Sequence, residues 1–225
     1  MSTPKKEKIL FCWSAGKDSA MALYKLHSSG KYEIACLLTT VTEGYDRVGM
    51  HGVRRELLKK QVKELGIPCE EVFIPKDSSN GEYEARMQAV LSKYHELGVE
   101  KAAFGDIFLE DVAGYRLSRL AKIGMKAIFP LWGSNTSELA LEFINTGFKA
   151  VITCVDTQFL DRQFCGKEFD KEFVASLPAG VDPCGENGEF HTFVFAGPLF
   201  TKNIDYDKGD IVLRDNRFYY CDLLP

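Results

Sequence analysis

The chain lacks any pair of cysteines close enough to act together. Its seven cysteines, at 12, 36, 69, 154, 165, 184 and 221, are never nearer than eleven residues apart. A zinc ribbon, a thioredoxin-type centre and a paired-thiol sulfur relay are thereby excluded. An odd, scattered set suits a reducing compartment, where a free thiol is small core filler. An excess of basic charge is missing too: 28 Lys and Arg face 32 Asp and Glu, for a net charge of −4. That balance argues against a nucleic-acid surface. No run approaches the ~18 apolar residues of a membrane span. The apolar stretch after Lys5, Lys6 and Lys8 is also too short for a signal peptide. These absences predict a cytoplasmic protein with no membrane partner. There is no internal repeat and no low-complexity tract.

What the chain does have, at 225 residues and 45% hydrophobic composition, is material for a sizeable core. Its first half alternates apolar, β-branched runs with helical patterns. Strands are predicted at Lys8–Trp13, Glu33–Val41, Glu70–Ile74, Lys101–Gly105 and Lys126–Phe129. Helices are predicted at Asp18–Ser28, Val53–Leu65, Glu82–Leu97 and Val112–Ile123. Gly66, Gly98 and Gly124 each sit just past a helix, where a C-terminal cap needs positive φ. The rhythm predicts an α/β fold with an open parallel five-stranded sheet covered by helices. After Pro130 the texture changes. Asn135–Thr146 reads as a helix capped by Asn135, with Glu138 three residues on. Phe148–Val155 and Phe190–Phe195 read as strands, and Ile211–Tyr220 as strand turning at Asp215-Asn216. The expected division is residues 1–132 and a smaller α+β domain, 133–225.

Chemistry concentrates at Ser14-Ala15-Gly16-Lys17-Asp18-Ser19, between the first strand and the first helix. Small residues let backbone N–H groups approach phosphate oxygens, and the helix N-terminus adds partial positive charge. Lys17 can neutralise phosphate; Asp18 and the serines can hold a hydrated Mg²⁺ or orient oxygens. It is not a Walker P-loop: Phe11 takes the first Gly position, and Asp18 follows Lys17. In an open parallel sheet of order 3-2-1-4-5, ligands bind where strand order reverses, between the first and fourth strands. That places Gly105 and Asp106 at the same crevice, Gly105 where backbone passes a nucleotide and Asp106 as a Mg²⁺ or ribose ligand or a plain turn residue. His51 and Arg54, after the second strand, can approach phosphate or an acidic substrate, and Arg54 reads equally as part of a solvated helix face. A second dense segment, Asp182-Pro183-Cys184-Gly185-Glu186-Asn187-Gly188-Glu189-Phe190-His191-Thr192, puts two glutamates three apart on a glycine-rich loop. They can converge on a cation or ammonium, or stand free in a solvated turn.

The first loop resembles the Ser-Gly-Gly-x-Asp-Ser loop of the N-type ATP pyrophosphatases, with Ala15 in place of the first Gly. Taken with Gly105-Asp106-Ile107, Pro130-Leu131-Trp132 and Glu186–Thr192, the chain resembles the diphthine–ammonia ligase family over nearly its whole length. That resemblance implies an adenine nucleotide alpha-hydrolase-like domain that carries ATP, and a small C-terminal domain that closes the site. It also implies adenylation of the diphthine carboxylate of a translocation elongation factor, with ammonia then displacing AMP. The pattern departs from the ligases at one place. They resemble Glu-Gly-Gly-Glu-Phe/Tyr-Glu-Ser/Thr, whereas here Asn187 replaces a Gly and His191 replaces the last Glu. This version resembles a sister group, often bacterial, linked to cobalamin metabolism. The change removes a negative charge and adds a group that titrates near neutrality.

The expected partners are therefore ATP, Mg²⁺, ammonia and a carboxylate acceptor, either protein-borne diphthine or a small molecule. The ATP loop is Ser14, Ala15, Gly16, Lys17, Asp18 and Ser19, joined by Gly105 and Asp106, with Asp18 on the metal. Lys17, Asp18, Glu186, Glu189 and His191 are the candidate catalytic groups. His51, Arg54, Asn187 and Gly188 are the candidate substrate contacts. Cys184, one thiol without a base, is expected to be incidental. Rival functions are a ligase acting on another carboxylate, a thiolating or nucleic-acid-modifying pyrophosphatase, and a non-catalytic ATP sensor. The oligomeric state stays open, a homodimer being one compatible form.

Overall fold

The structure, a computed structural model, describes residues 6–225; Lys5 of the basic N-terminal group lies outside them. Five parallel strands build the first sheet: β1 (Glu7–Cys12), β2 (Tyr32–Thr42), β4 (Cys69–Ile74), β5 (Lys101–Ala103) and β6 (Lys126–Ile128). β2 pairs with β1 and β4, β1 with β5, and β5 with β6, so these strands stand in the order 3-2-1-4-5. One addition was not anticipated. β3 (Arg47–Val48) pairs antiparallel with the end of β2, and two residues are too few to show a period.

The helices follow from local chemistry. α1 (Lys17–Ser29) buries Ala20, Met21, Ala22, Leu23 and Leu26. α2 (Arg55–Leu65) buries Leu57, Leu58 and Gln61 and stops at Gly66, whose φ of 65° lets its N–H reach back to the Val62 and Lys63 carbonyls. α3 (Asn80–Glu96) begins where Ser79 Oγ accepts the Glu82 N–H, and α4 (Glu110–Ala121) carries Glu110 and Asp111 in its first turn. Gly98 and Gly124 also take positive φ, as their positions past α3 and α4 require.

Beyond residue 130 come α5 (Thr136–Asn145), capped by Asn135 as expected, and a separate antiparallel sheet. Its strands are β7 (Lys149–Asp156), β8 (Phe190–Ala196), β9 (Asp207–Arg214) and β10 (Phe218–Leu224), in the order β8-β7-β10-β9. Asp215 and Asn216, at φ of 51° and 50°, make the β9–β10 turn. A short α6 (Lys171–Ser176) was hidden in the Phe-rich stretch. It sets Phe173 edge-on to Phe164 and Phe190, and full burial of such a ring is worth roughly 1.5–3 kcal/mol. One hydrophobic cluster runs from Ile9 and Phe11 of the parallel sheet through Phe143 and Phe148 to Phe190 and Phe193 of the antiparallel one. The two sheets therefore pack across a shared core. Among the described residues no helix is long and apolar enough to cross a membrane.

Candidate active site

The Ser14–Ser19 turn lies where β1 ends and α1 begins. Trp13 N–H still pairs with the Leu38 carbonyl of β2, and beyond it the chain leaves the sheet. Ala15 takes φ of 68°, the left-handed conformation for which the related loop uses Gly. Ser14 Oγ accepts from Gly16 N–H at 3.3 Å and lies 3.1 Å from Ser19 Oγ, which donates to the Gly16 carbonyl at 2.8 Å. The turn is thus braced by its own hydroxyls.

The second motif covers this turn. Lys17 N–H donates to Thr192 Oγ1 at 3.0 Å, across 175 positions of sequence, and Val194 N–H donates to the Ala15 carbonyl. Lys17 Nζ contacts both Asp18 oxygens at 2.8 Å and donates to the Cys184 carbonyl. It also lies 5.4 Å from the Phe190 ring centroid and 5.7 Å from that of Phe169. Burial alone would pull this ammonium's pKa down. Asp18 beside it more than compensates, and the group is held above its ordinary value.

Glu186 reaches the other way. Its Oε1 accepts the Ile107 N–H at 2.7 Å and the Phe108 N–H at 3.4 Å, so the loop after Gly105-Asp106 joins the cluster. Burial pushes its pKa up to about 7, against those donors and with Asp18 nearby adding to the rise. Glu189 is almost wholly buried. Its Oε1 accepts from Asp182 N–H and from Asn187 Nδ2, each at 3.0 Å, and its Oε2 has no hydrogen-bond partner among the described residues. His191 lies with its ring 4.8 Å from that of His51, and its buried Nε2 has no partner among the described residues. Gly188, at φ of 90°, turns the loop between the two glutamates.

Three predicted residues are placed differently from the others. Arg54 forms a two-pronged ion pair with Asp222 of β10, at 3.0 and 2.6 Å, and Arg47 joins it at 2.9 Å. Asp106 is ion-paired with Arg116 of α4 at 2.7 Å. Gly105 packs on the start of α1: a Cβ there would stand 3.0 Å from Asp18 C and Ser19 N. Its smallness is explained by this close approach of the chain after β5 to α1.

Several contributors escaped the sequence reading. Gln61 is fully buried, accepts the Trp13 indole N–H at 3.0 Å and donates to the Ala15 and Val194 carbonyls at 3.1 and 2.6 Å. Its signal was one polar residue in the apolar stripe of α2. Thr192 stood in the second motif, but its contact with Lys17 N–H left no signal, and neither did the Cys184 carbonyl, because a backbone oxygen carries no motif. The Cys184 thiol is raised to about 12 by burial, which suits a packed thiol and not a nucleophile.

Fold and site together define a parallel α/β protein with a phosphate-loop-like turn at its first βα junction, roofed by an antiparallel sheet. Residues 7–127 match the diphthamide synthase N-terminal domain, and residues 135–222 match the diphthamide synthase C-terminal domain. The chain belongs to the diphthamide synthase family. The human diphthine–ammonia ligase is 25% identical over 225 residues, covering 89% of this chain and 83% of that protein. The fission yeast diphthine–ammonia ligase is 26% identical over 216 residues, which cover 91% of this chain but only 34% of the yeast protein. The bovine one is 32% identical over 120 residues, 51% of this chain and 45% of that protein. Among solved structures, the U34-tRNA thiolase NcsA from Methanococcus maripaludis overlaps 63% of this chain and 58% of its own at TM-score 0.40 and 17% identity, too slight a likeness to bear on chemistry.

Proposed function

We propose that the protein is an ATP-dependent, AMP-forming carbon–nitrogen ligase that adenylates a carboxylate for attack by ammonia. The observation that carries this is the meeting of the two motifs, through Lys17 N–H on Thr192 and Lys17 Nζ on the Cys184 carbonyl. Family membership and relatives named diphthine–ammonia ligase support it.

In this reading the β and γ phosphates of ATP lie in the Ser14–Ser19 turn. Lys17 exchanges its Asp18 and Cys184 partners for phosphate oxygens. The acceptor carboxylate attacks the α-phosphorus, pyrophosphate leaves, and positioning with charge neutralisation supplies most of the acceleration. Magnesium, when bound, would neutralise phosphate charge. Among the described residues no cluster of three or more acidic, His or Cys side chains is placed to hold a metal. The one carboxylate at the turn, Asp18, fits an ion that takes its remaining ligands from nucleotide oxygens and water.

Ammonia then forms the C–N bond, the acyl–oxygen bond breaks, and AMP departs with the electron pair. The proton shed by nitrogen needs an acceptor. Glu189 Oε2 and His191 Nε2, buried and unpartnered, suit ammonia binding and this transfer, with Glu186 as the third candidate. Asn187 and Gly188 shape the loop toward the acceptor. The same division assigns residues 1–132 to the nucleotide and 133–225 to the acceptor. Diphthine is the first acceptor to test; the exchange of a carboxylate for His191 favours a second reading in which another carboxylate is amidated.

The test is release of AMP and pyrophosphate with ammonium and a panel of carboxylates, including a diphthine-bearing elongation factor. Acceptor-dependent AMP supports a ligase. ADP formation, or nucleotide binding with no acceptor-dependent turnover, overturns it, the latter in favour of a sensor.

A further inference from the structure

Two imidazoles meet beside the phosphate-loop-like turn, and the chemistry above uses only one of them. His51 arrives from the loop after β3. A Cβ on Gly16 would stand 2.4 Å from His51 Cε1 and 3.0 Å from Nδ1, so Gly16 is the residue that admits this ring against the turn. His51 Nδ1 lies 2.9 Å from the Thr192 carbonyl oxygen. A carbonyl only accepts, so Nδ1 carries the hydrogen and Nε2 holds a lone pair while the ring is neutral. The His191 ring lies 4.8 Å away with its Nε2 buried and unpartnered.

The groups that face this pair come from three elements. From α1, Lys17 opposes positive charge on either ring, while Asp18 favours it on His51. From β8 comes the Thr192 carbonyl. Tyr220 of β10 packs on neighbouring Gly52, and burial keeps its phenol protonated. Burial is the main cause that leaves both rings neutral at pH 7; His51 and then Lys17 add to it at His191, while at His51 the Thr192 carbonyl and Asp18 act against it.

We infer that His51 and His191 form a one-proton receiver for the phosphate chain: a triphosphate entering the Ser14–Ser19 turn draws one solvent proton onto the pair. The inference rests on the ATP reading above. A multiply charged anion beside Gly16 adds a negative field that offsets the burial and the Lys17 charge, both of which disfavour a proton on the rings. Two charged imidazoles at this spacing, next to Lys17, repel, so a second proton is refused while the triphosphate is bound; departure of pyrophosphate discharges the pair and frees His191 before ammonia attacks. Nucleotide binding then weakens as pH rises, because the protonated pair belongs to the bound state.

Titration calorimetry counts the proton. Magnesium-saturated α,β-methylene ATP is titrated at about pH 7.5 in buffers of differing ionisation enthalpy, where its own phosphates do not ionise further. The expected result is uptake of about 0.5–1 proton by the parent protein, and no more than about half of that in His51→Gln and His191→Gln with nucleotide still bound. Binding without buffer-dependent heat overturns the receiver and leaves the nucleotide site standing. Uptake kept in both Gln variants but lost in Glu186→Gln moves the proton to that carboxyl and overturns it equally. Absence of any binding overturns the ATP reading itself. If a Gln variant fails to fold, the parent protein decides: its Kd should rise up to about tenfold per pH unit above neutrality, and a flat profile overturns the receiver.

Discussion

The two loops that meet at Lys17 are built on opposite plans. Ser14–Ser19 has small side chains and works through backbone, two hydroxyls and one ammonium. Asp182–Thr192 is dense in carboxylates, yet most of them fasten its own chain. Asp182 Oδ1 accepts from the Cys184 and Glu186 N–H groups at 2.9 and 3.1 Å, and Glu189 Oε1 holds Asp182 N–H and Asn187. What the second loop offers the first is a backbone carbonyl and a threonine hydroxyl. Carboxylate density therefore marks a rigid platform as much as a ligand site, and Glu186 is the acid that reaches outward.

Removing the one long side chain of the first loop should have the largest effect. Lys17→Ala should lower acceptor-dependent AMP formation by about 10²–10³ or more, the scale of losing one preorganised transition-state charge. Its fold should survive: the Cys184 carbonyl loses one donor, worth about 1 kcal/mol, and Asp18 is 30% exposed and can hydrate. Near-parental turnover in a folded variant would show that the ammonium never leaves Asp18 and Cys184 for phosphate.

The second loop breaks differently. Glu189→Ala strands the Asp182 N–H and the Asn187 amide in a buried place, which should cost about 2–4 kcal/mol in urea unfolding. Glu189→Gln keeps an acceptor oxygen. It should reduce amide formation by about tenfold or more while nucleotide Kd stays within about twofold. Equal losses in both would make Glu189 a fastener only and move the chemistry to Glu186 and His191.

Most of the scaffold was legible in the sequence. The parallel sheet followed from the βα alternation, the order 3-2-1-4-5 taken as its premise is the one observed, and the glycine caps at 66, 98 and 124 followed from the chemistry of positive φ. What escaped was small or non-local. β3 and α6 are too short to show a period. The site was legible where a motif carries it, at Ser14–Ser19 and Glu186–Thr192. It was not legible where partners depend on fold: Asp106 pairs with Arg116 of α4, and Arg54 with Asp222 from the far end of the chain. Gln61 shows the reverse case. A polar residue in an apolar helical stripe was visible, but its three partners come from Trp13 just past β1, the phosphate-loop-like turn and β8.

Glu186 gives the comparison a pH axis. Its carboxyl ionises near 4.5 in the unfolded chain and at about 7 in the fold, so between these values the native state holds the extra proton. Its contribution is complete below about pH 4.5 and is lost as pH rises to about 7. Urea midpoints taken across that window should therefore fall more for the parent protein than for Glu186→Gln, whose amide does not titrate. Parallel profiles would mean that the Ile107 and Phe108 N–H groups keep the carboxylate charged.

The smallest effect belongs to Ala15, the one residue of the first loop whose type departs from the Gly of its relatives' pattern. At φ of 68° an alanine carries a left-handed penalty of about 1–2 kcal/mol that glycine escapes. Against that, Ala15→Gly frees the unfolded chain by about 0.4–1 kcal/mol and removes a buried methyl worth about 0.8 kcal/mol. These contributions nearly cancel, so unfolding free energy should move by less than about 1 kcal/mol in either direction. Turnover should be nearly unchanged, because the contacts of the turn run through backbone and the hydroxyls of Ser14 and Ser19. A loss above about 2 kcal/mol would show that the Ala15 methyl is a packing element of the shared core. The turn would then resemble the second loop, where side chains hold the backbone in place.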